Sequence, residues 1–374
     1  MDKKFVMGIA AMAALTLVSC SSDDLDSFSD NSSKNEAISF DGYLGRSAVA
    51  VNGTRGSVET KETLKTNGFA VFGKYTPTEG QSSDFFDNQK VTYSTTTSKW
   101  TYTPLRYWPT NGKIDFFAYA PHKEGQKLKS NTTTFDFTVD KDIAKQKDLL
   151  WANATGQITG KFEGTTKEKV TFLFKHALSR LGYSVKLSGD YTSNNVNFKL
   201  NSIKLAGSAD GTSKNAFYKT GTIDLSKENN ARDLWDTSSS SANEGKQNFD
   251  WVSSDMQVDN TGIKNAETDY LFVIPQDFSQ TKSEGNDVDE LYVIVEYDVD
   301  YKSGTPSTTI TNTVYKKLPI KFEQGKAYML NLTIGLPIEF DVDVEATGGV
   351  GVEDWGTDEN INIGSNDENP WDRK

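Results

Sequence analysis

LYVIVEYDVDY, residues Leu291–Tyr301, decides how the rest of the chain is read. Leu291, Val293, Val295, Tyr297, Val299 and Tyr301 take alternate positions, and Glu296, Asp298 and Asp300 fall between them. Successive side chains of a β-strand point to opposite faces, so this period of two puts one face in a core and the other in water. The same alternation runs through LGYSVKL (Leu181–Leu187) and YMLNLTI (Tyr328–Ile334). Phe69–Tyr75, Val91–Ser94 with Trp100–Thr103, Ile114–Ala120, Thr134–Val139, Val170–Lys175, Val196–Leu205, Tyr270–Pro275 and Val314–Phe322 are further strand candidates. Long helical periodicity is nearly absent. Many short strands divided by Gly, Asn, Ser and Thr clusters predict an all-β chain of mostly antiparallel sandwiches.

The N-terminus has a different character. Lys3 and Lys4 precede the apolar run Met7–Val18, which is of signal-peptide length and too short to span a bilayer as a mature helix. Leu17-Val18-Ser19-Cys20 resembles a bacterial lipobox, in which the cysteine is acylated and becomes the new N-terminus. Cys20 is therefore the candidate lipidation site, and the chain an outer-membrane lipoprotein precursor. Acyl chains contribute about 0.8 kcal/mol per buried CH₂, so several of them anchor a protein firmly. The acidic SSDDLD that follows is similar to the surface-export signal of some Gram-negative lipoproteins.

Cys20 is the only cysteine among 374 residues. Once it is acylated, no disulfide, thiolate nucleophile or cysteine zinc site is expected. The two histidines, His122 and His176, stand in no metal-ligand spacing and beside no G-x-S-x-G elbow. The sequence therefore predicts no metal, no cofactor and no enzyme. A net charge of −12 argues against a nucleic-acid partner. Asp298 with Asp300, and Asp341 with Asp343, share strand faces as a glycoside hydrolase pair would, but their alternation with apolar residues makes them solvent-face positions.

Polar blocks suggest boundaries. LSGDYTSNN (Leu187–Asn195) follows a strand, and SKENNARDLWDTSSSSANEGKQN (Ser226–Asn248) reads as a long loop. The expected division is a signal peptide at 1–19, a lipid tether with a removable leading strand at 20–55, and an N-terminal sandwich domain at 56–187. A C-terminal sandwich domain with a donor segment and an acidic tail then occupies 188–374.

Five stretches carry a family likeness: GFAVFGKY (Gly68–Tyr75), RYWPTNGKIDFFAYAP (Arg106–Pro121), FKHALSRLGYSVKL (Phe174–Leu187), GKAYMLNLTIGL (Gly325–Leu336) and VEDWG (Val352–Gly356). In this order and spacing they resemble the fimbrillin family, the Mfa-like and FimA-like subunits of type V pili. The resemblance implies two tandem transthyretin-like β-sandwich domains, export as a lipoprotein, proteolytic removal of a leading segment, and assembly by strand exchange with other pilus subunits. A role in adhesion would add a host protein or glycan receptor.

The residues supply their own argument for exchange. AISFDGYL (Ala37–Leu44) is echoed by PIEFDVDV (Pro337–Val344) at the other end of the chain. Ile38, Phe40 and Leu44 line one face of the first, and Ile338, Phe340, Val342 and Val344 one face of the second. A strand that leaves its sheet exposes backbone groups and an apolar groove that a segment of matching period can refill. Ile38, Phe40 and Leu44 thus mark the displaced strand, and Ile338–Val344 the donor, with Val350–Trp355 as the rival donor. Cleavage needs an exposed loop, and Arg55 in TRGS resembles the arginine-specific maturation site of the family, with Arg46 as the rival. A tail folded back into its own domain would favour a tip or accessory position over a stalk position. The alternative is a monomeric surface lipoprotein that binds glycans or host ligands and keeps Cys20.

Overall fold

The computed structural model describes residues 37–44, 58–158, 169–227, 233–240, 243–264, 269–280, 288–302, 308–336, 338–347 and 360–361. The first half comprises β1 (Phe40–Leu44), helix α1 (Lys61–Asn67), β2 (Phe69–Thr76), β3 (Ser83–Ser94), β4 (Lys99–Thr101), β5 (Lys113–Ala120), β6 (Thr134–Thr138), β7 (Leu150–Ile158) and β8 (Val170–His176). All of these strands but β6 form one seven-stranded sheet in the order β1-β8-β7-β5-β2-β3-β4. Its pairings are antiparallel except the one between β1 and β8.

This sheet is buried on both sides, which is why FAVF and DFFAYA read as unbroken apolar runs rather than alternations. Phe69, Val71, Ile114, Phe116, Phe172 and Phe174 form one core with Ile38, Phe40 and Trp108. Ala70, Phe72, Phe117, Tyr119 and Trp151 face a second core. Helix α1 closes the first core with buried Leu64. It starts in a reciprocal cap, Thr63 N–H donating to Thr60 Oγ1 at 3.2 Å and Thr60 N–H to Thr63 Oγ1 at 2.6 Å. It stops at Gly68, whose φ of 71° favours glycine and whose Cα lies so close to β3 that a Cβ would meet Val91 O at 2.5 Å.

The second half adds β9 (Ser179–Leu187), β10 (Val196–Ala206), β11 (Phe217–Tyr218), β12 (Thr220–Asp224), β13 (Trp235–Asp236), β14 (Lys246–Gln247), β15 (Phe249–Val252), β16 (Met256–Val258), β17 (Ile263–Lys264) and β18 (Leu271–Val273). It continues with β19 (Gln276–Asp277), β20 (Tyr292–Tyr301), β21 (Thr308–Lys317), β22 (Lys321–Phe322), β23 (Ala327–Gly335), β24 (Glu339–Thr347) and β25 (Asn360–Ile361). One sheet runs β15-β10-β20-β21, with β16 also on β10; another runs β17-β9-β23-β24-β25, with β18 also on β9. Both contribute to the second core, through Leu200, Val295 and Tyr297 from one and Leu181, Leu332 and Val344 from the other.

Three features depart from the sequence reading. Sheet membership changes between His176 and Ser179 rather than at 187, because β9 pairs with β23 from Ala327↔Arg180 to Ile334↔Leu187. The halves also share a sheet, since β6 from the first pairs with β12 from the second. Finally, the polar block Ser226–Asn248 is more than a loop. Its Trp235 joins a strand pair with Ile223 and donates from Nε1 to Ala177 O at 2.8 Å, while Leu234 is buried.

Candidate strand-exchange site

Strand β1 lies at the edge of the seven-stranded sheet, in register with β8 from Phe40↔Val170 to Leu44↔Phe174. Alternation turns Ile38 and Phe40 inward, where both are buried. Phe40 fills a pocket of four rings, with centroids at 5.3 Å from Tyr102, 5.5 Å from Phe86 and Phe116, and 5.8 Å from Phe172. Burying Ile38 and Phe40 contributes roughly 1.5–3 kcal/mol each.

The backbone before β1 is held from two directions. Ile38 N–H donates to Arg106 O at 2.8 Å, and Val170 N–H donates to Ser39 O at 2.9 Å. Tyr102 Oη donates to Ile38 O at 2.8 Å, and burial raises the pKa of this phenol. Residues 37–44 therefore sit as an insert between β8 and the segment at Arg106–Tyr107. If they left, these donors and acceptors and the four-ring pocket would all lose their partners together.

Of the proposed donor residues, Phe340, Val342 and Val344 lie in β24, and Ile338 immediately precedes it. This strand is antiparallel to β23, with Phe340↔Ile334, Val342↔Leu332 and Val344↔Leu330. Val342 and Val344 are buried, Phe340 packs on the same core, and Ile338 is 43% exposed. Lys316 of β21 holds Asp341 at 2.7 Å, and this hydrogen bond lowers the Asp341 pKa. The segment that echoes β1 is thus seated in its own domain, and β25 pairs alongside it at Val344↔Ile361. Cys20, Arg46, Arg55 and Val350–Trp355 lie outside the described residues.

Close after Arg55 in sequence, Glu59 belongs to a buried polar cluster that the sequence reading missed. Glu59 N–H donates to Asp148 Oδ2 at 2.9 Å, and His176 Nδ1 lies 2.8 Å from the same oxygen. Glu59 accepts from Thr63 Oγ1 at 3.0 Å and from Asn67 Nδ2 at 2.8 Å. Burial first, and the neighbouring Asp148 charge second, push the Glu59 pKa up to about 7. Glu59 and Asp148 are far apart in sequence and share no motif, so no local signal marks the cluster. The carboxylate pairs are engaged elsewhere: Asp298 accepts from Thr311 Oγ1 at 2.7 Å and Asn201 Nδ2 at 2.9 Å, and Asp300 from Thr309 Oγ1 at 2.6 Å. His122 lies half-buried, and burial lowers its pKa.

The crystal structure of a fimbrial protein from Bacteroides vulgatus superposes on this chain with a TM-score of 0.59 at 22% identity, covering 83% of this chain and 99% of that one. This chain therefore shares the fold of that protein. The family model for fimbrillin-like proteins matches residues 54–355, and the fimbrium subunit Fim1C of Phocaeicola vulgatus is 28% identical over 372 residues, covering 87% of this chain and 91% of that protein. The chain belongs to the fimbrillin-like family.

Proposed function

We propose that this protein is a structural subunit of a surface pilus, exported as a lipoprotein on Cys20, matured by cleavage after Arg55, and joined to neighbouring subunits by donor-strand exchange. Its part in the pilus is adhesive rather than catalytic. The observation that carries the reading is the seating of β1: an edge strand at the front of the chain, whose Ile38 and Phe40 complete a core built otherwise from residues after Arg55.

The chemistry is a replacement of equivalents. A cut after Arg55 separates Cys20, its lipid and β1 from the sandwich. The downstream chain stays fixed, because Glu59 and the Thr60 cap hold its start to Asp148 and α1. A neighbour's strand then restores the ladder to β8 and refills the apolar groove, while this chain's Val350–Trp355, or Ile338–Val344 once released from β23, serves another neighbour. A head-to-tail contact of this kind does not close on itself, so it extends into a filament. The pairing of β25 with β24, which returns part of the tail to its own sheet, favours a tip or accessory position over a stalk position.

Electrophoresis of surface material in SDS without boiling tests this. Wild type gives a ladder of resistant oligomers, Arg55→Ala abolishes it, and Arg46→Ala leaves it intact. A single monomer band retaining lipid would instead identify a monomeric lipoprotein that binds glycans or a host ligand.

A further inference from the structure

Resting on the strand-exchange reading, we propose that the groove vacated by β1 is selective. It admits a strand of a different subunit whose inward positions read large apolar, large apolar, glycine, and it excludes this chain's own Ile338–Val344. The determinant is Gly42, the third inward position after Ile38 and Phe40. A Cβ there would lie 2.9 Å from Phe69 Cε1 and 3.4 Å from Phe174 Cε2.

Phe69 has nowhere to retreat. It is fully buried, with ring centroids at 4.8 Å from Trp100, 5.2 Å from Phe174 and 5.7 Å from Phe172. Among the described residues Gly42 is not one of the glycines with positive φ, so the position demands space rather than an unusual backbone. A β-branched residue at this point overpacks a closed aromatic wall.

The echo between the two ends of the chain fails at this position. Laying Ile338 on Ile38 and Phe340 on Phe40 brings Val342 onto Gly42. Sliding by one pleat brings Val344 there, and by two pleats Ala346, each with a Cβ. Val344, Ala346 and Gly348 end on glycine but put a methyl group where Phe40 fills four rings. Farther on, Val350, Val352 and Asp354 bring a carboxylate to Gly42's place, and Ile361, Ile363 and Ser365 another Cβ. No segment after Gly335 combines two large apolar residues and a glycine in this alternation. The groove and the tail of this chain therefore do not match, and its partner at this joint is a distinct subunit rather than a second copy.

The test uses the full chain cut after Arg55 by an arginine-specific protease and three fluorescent peptides. These are AISFDGYL (residues 37–44), PIEFDVDV (residues 337–344), and the second peptide carrying Val342→Gly. The first and third are incorporated, and the unaltered second about tenfold less. Equal incorporation of the second and third overturns the selectivity while leaving exchange standing. Failure of all three, AISFDGYL included, overturns exchange and the proposal with it. Gly42→Val in the intact chain, which needs no exchange, lowers Tm; an unchanged Tm refutes the clearance argument by itself.

Discussion

Glu59 links the packing ahead of helix α1 to pH. Its folded pKa of about 7 stands above the ordinary 4.5, so between these values the folded protein holds a proton that the unfolded chain has released. Stability from this group is complete below about 4.5 and falls as pH rises through the window to about 7. Glu59→Gln removes the ionisation and keeps the shape. Thermal melts should show variant and wild type alike near pH 4, with the variant ahead by something on the order of 3 kcal/mol at pH 8. A constant difference across pH would refute the assignment. Phe40 makes the second residue-scale test. Phe40→Ala empties a four-ring pocket and should cost about 3–5 kcal/mol in denaturant unfolding of the full chain, whereas Leu105→Ala, at a side chain 52% exposed nearby, stays within about 0.5 kcal/mol.

At the scale of the element, β24 behaves as a core strand and not as a loose tail. Val344→Ala should cost about 2 kcal/mol in chemical denaturation, and Ile338→Ala about 0.5 or less, because only the first side chain is buried. Equal effects would mean that β24 is not seated as described. Strands with one solvated face, such as β20 and β23, were legible from their alternation. Strand β7 was not, since Leu150, Trp151 and Ala152 are buried in succession and the strand then runs through Asn153 and Gly156. Val314–Phe322, read as one strand, divides into β21 and β22 where Leu318-Pro319 interrupts the ladder. The likeness of β1 to β24 could be read from Ile38, Phe40, Ile338 and Phe340. Their partners and directions could not, because β1 runs parallel to β8 and β24 antiparallel to β23, pairings set by contacts remote in sequence.

For the whole molecule, the question is what completes the seven-stranded sheet once the chain is at the surface. A chain that keeps its own β1 has this sheet satisfied, and a net charge of −12 keeps such chains apart. Loss of β1 would expose an apolar groove and unpaired backbone that together favour one strand-shaped occupant, and the family match extends from residue 54, just ahead of Arg55, through to residue 355. The all-β class with mostly antiparallel pairing was legible from the strand pattern. The shared β6–β12 pairing was not, because Thr134–Thr138 gives no sign that its partner lies in the other half. The most direct measurement is the N-terminal sequence of this subunit isolated from assembled surface fibres. A start at Gly56, with residues 37–44 gone, is the expected result; a lipidated Cys20 start, with the Arg55–Gly56 bond intact in the fibre, would contradict the account.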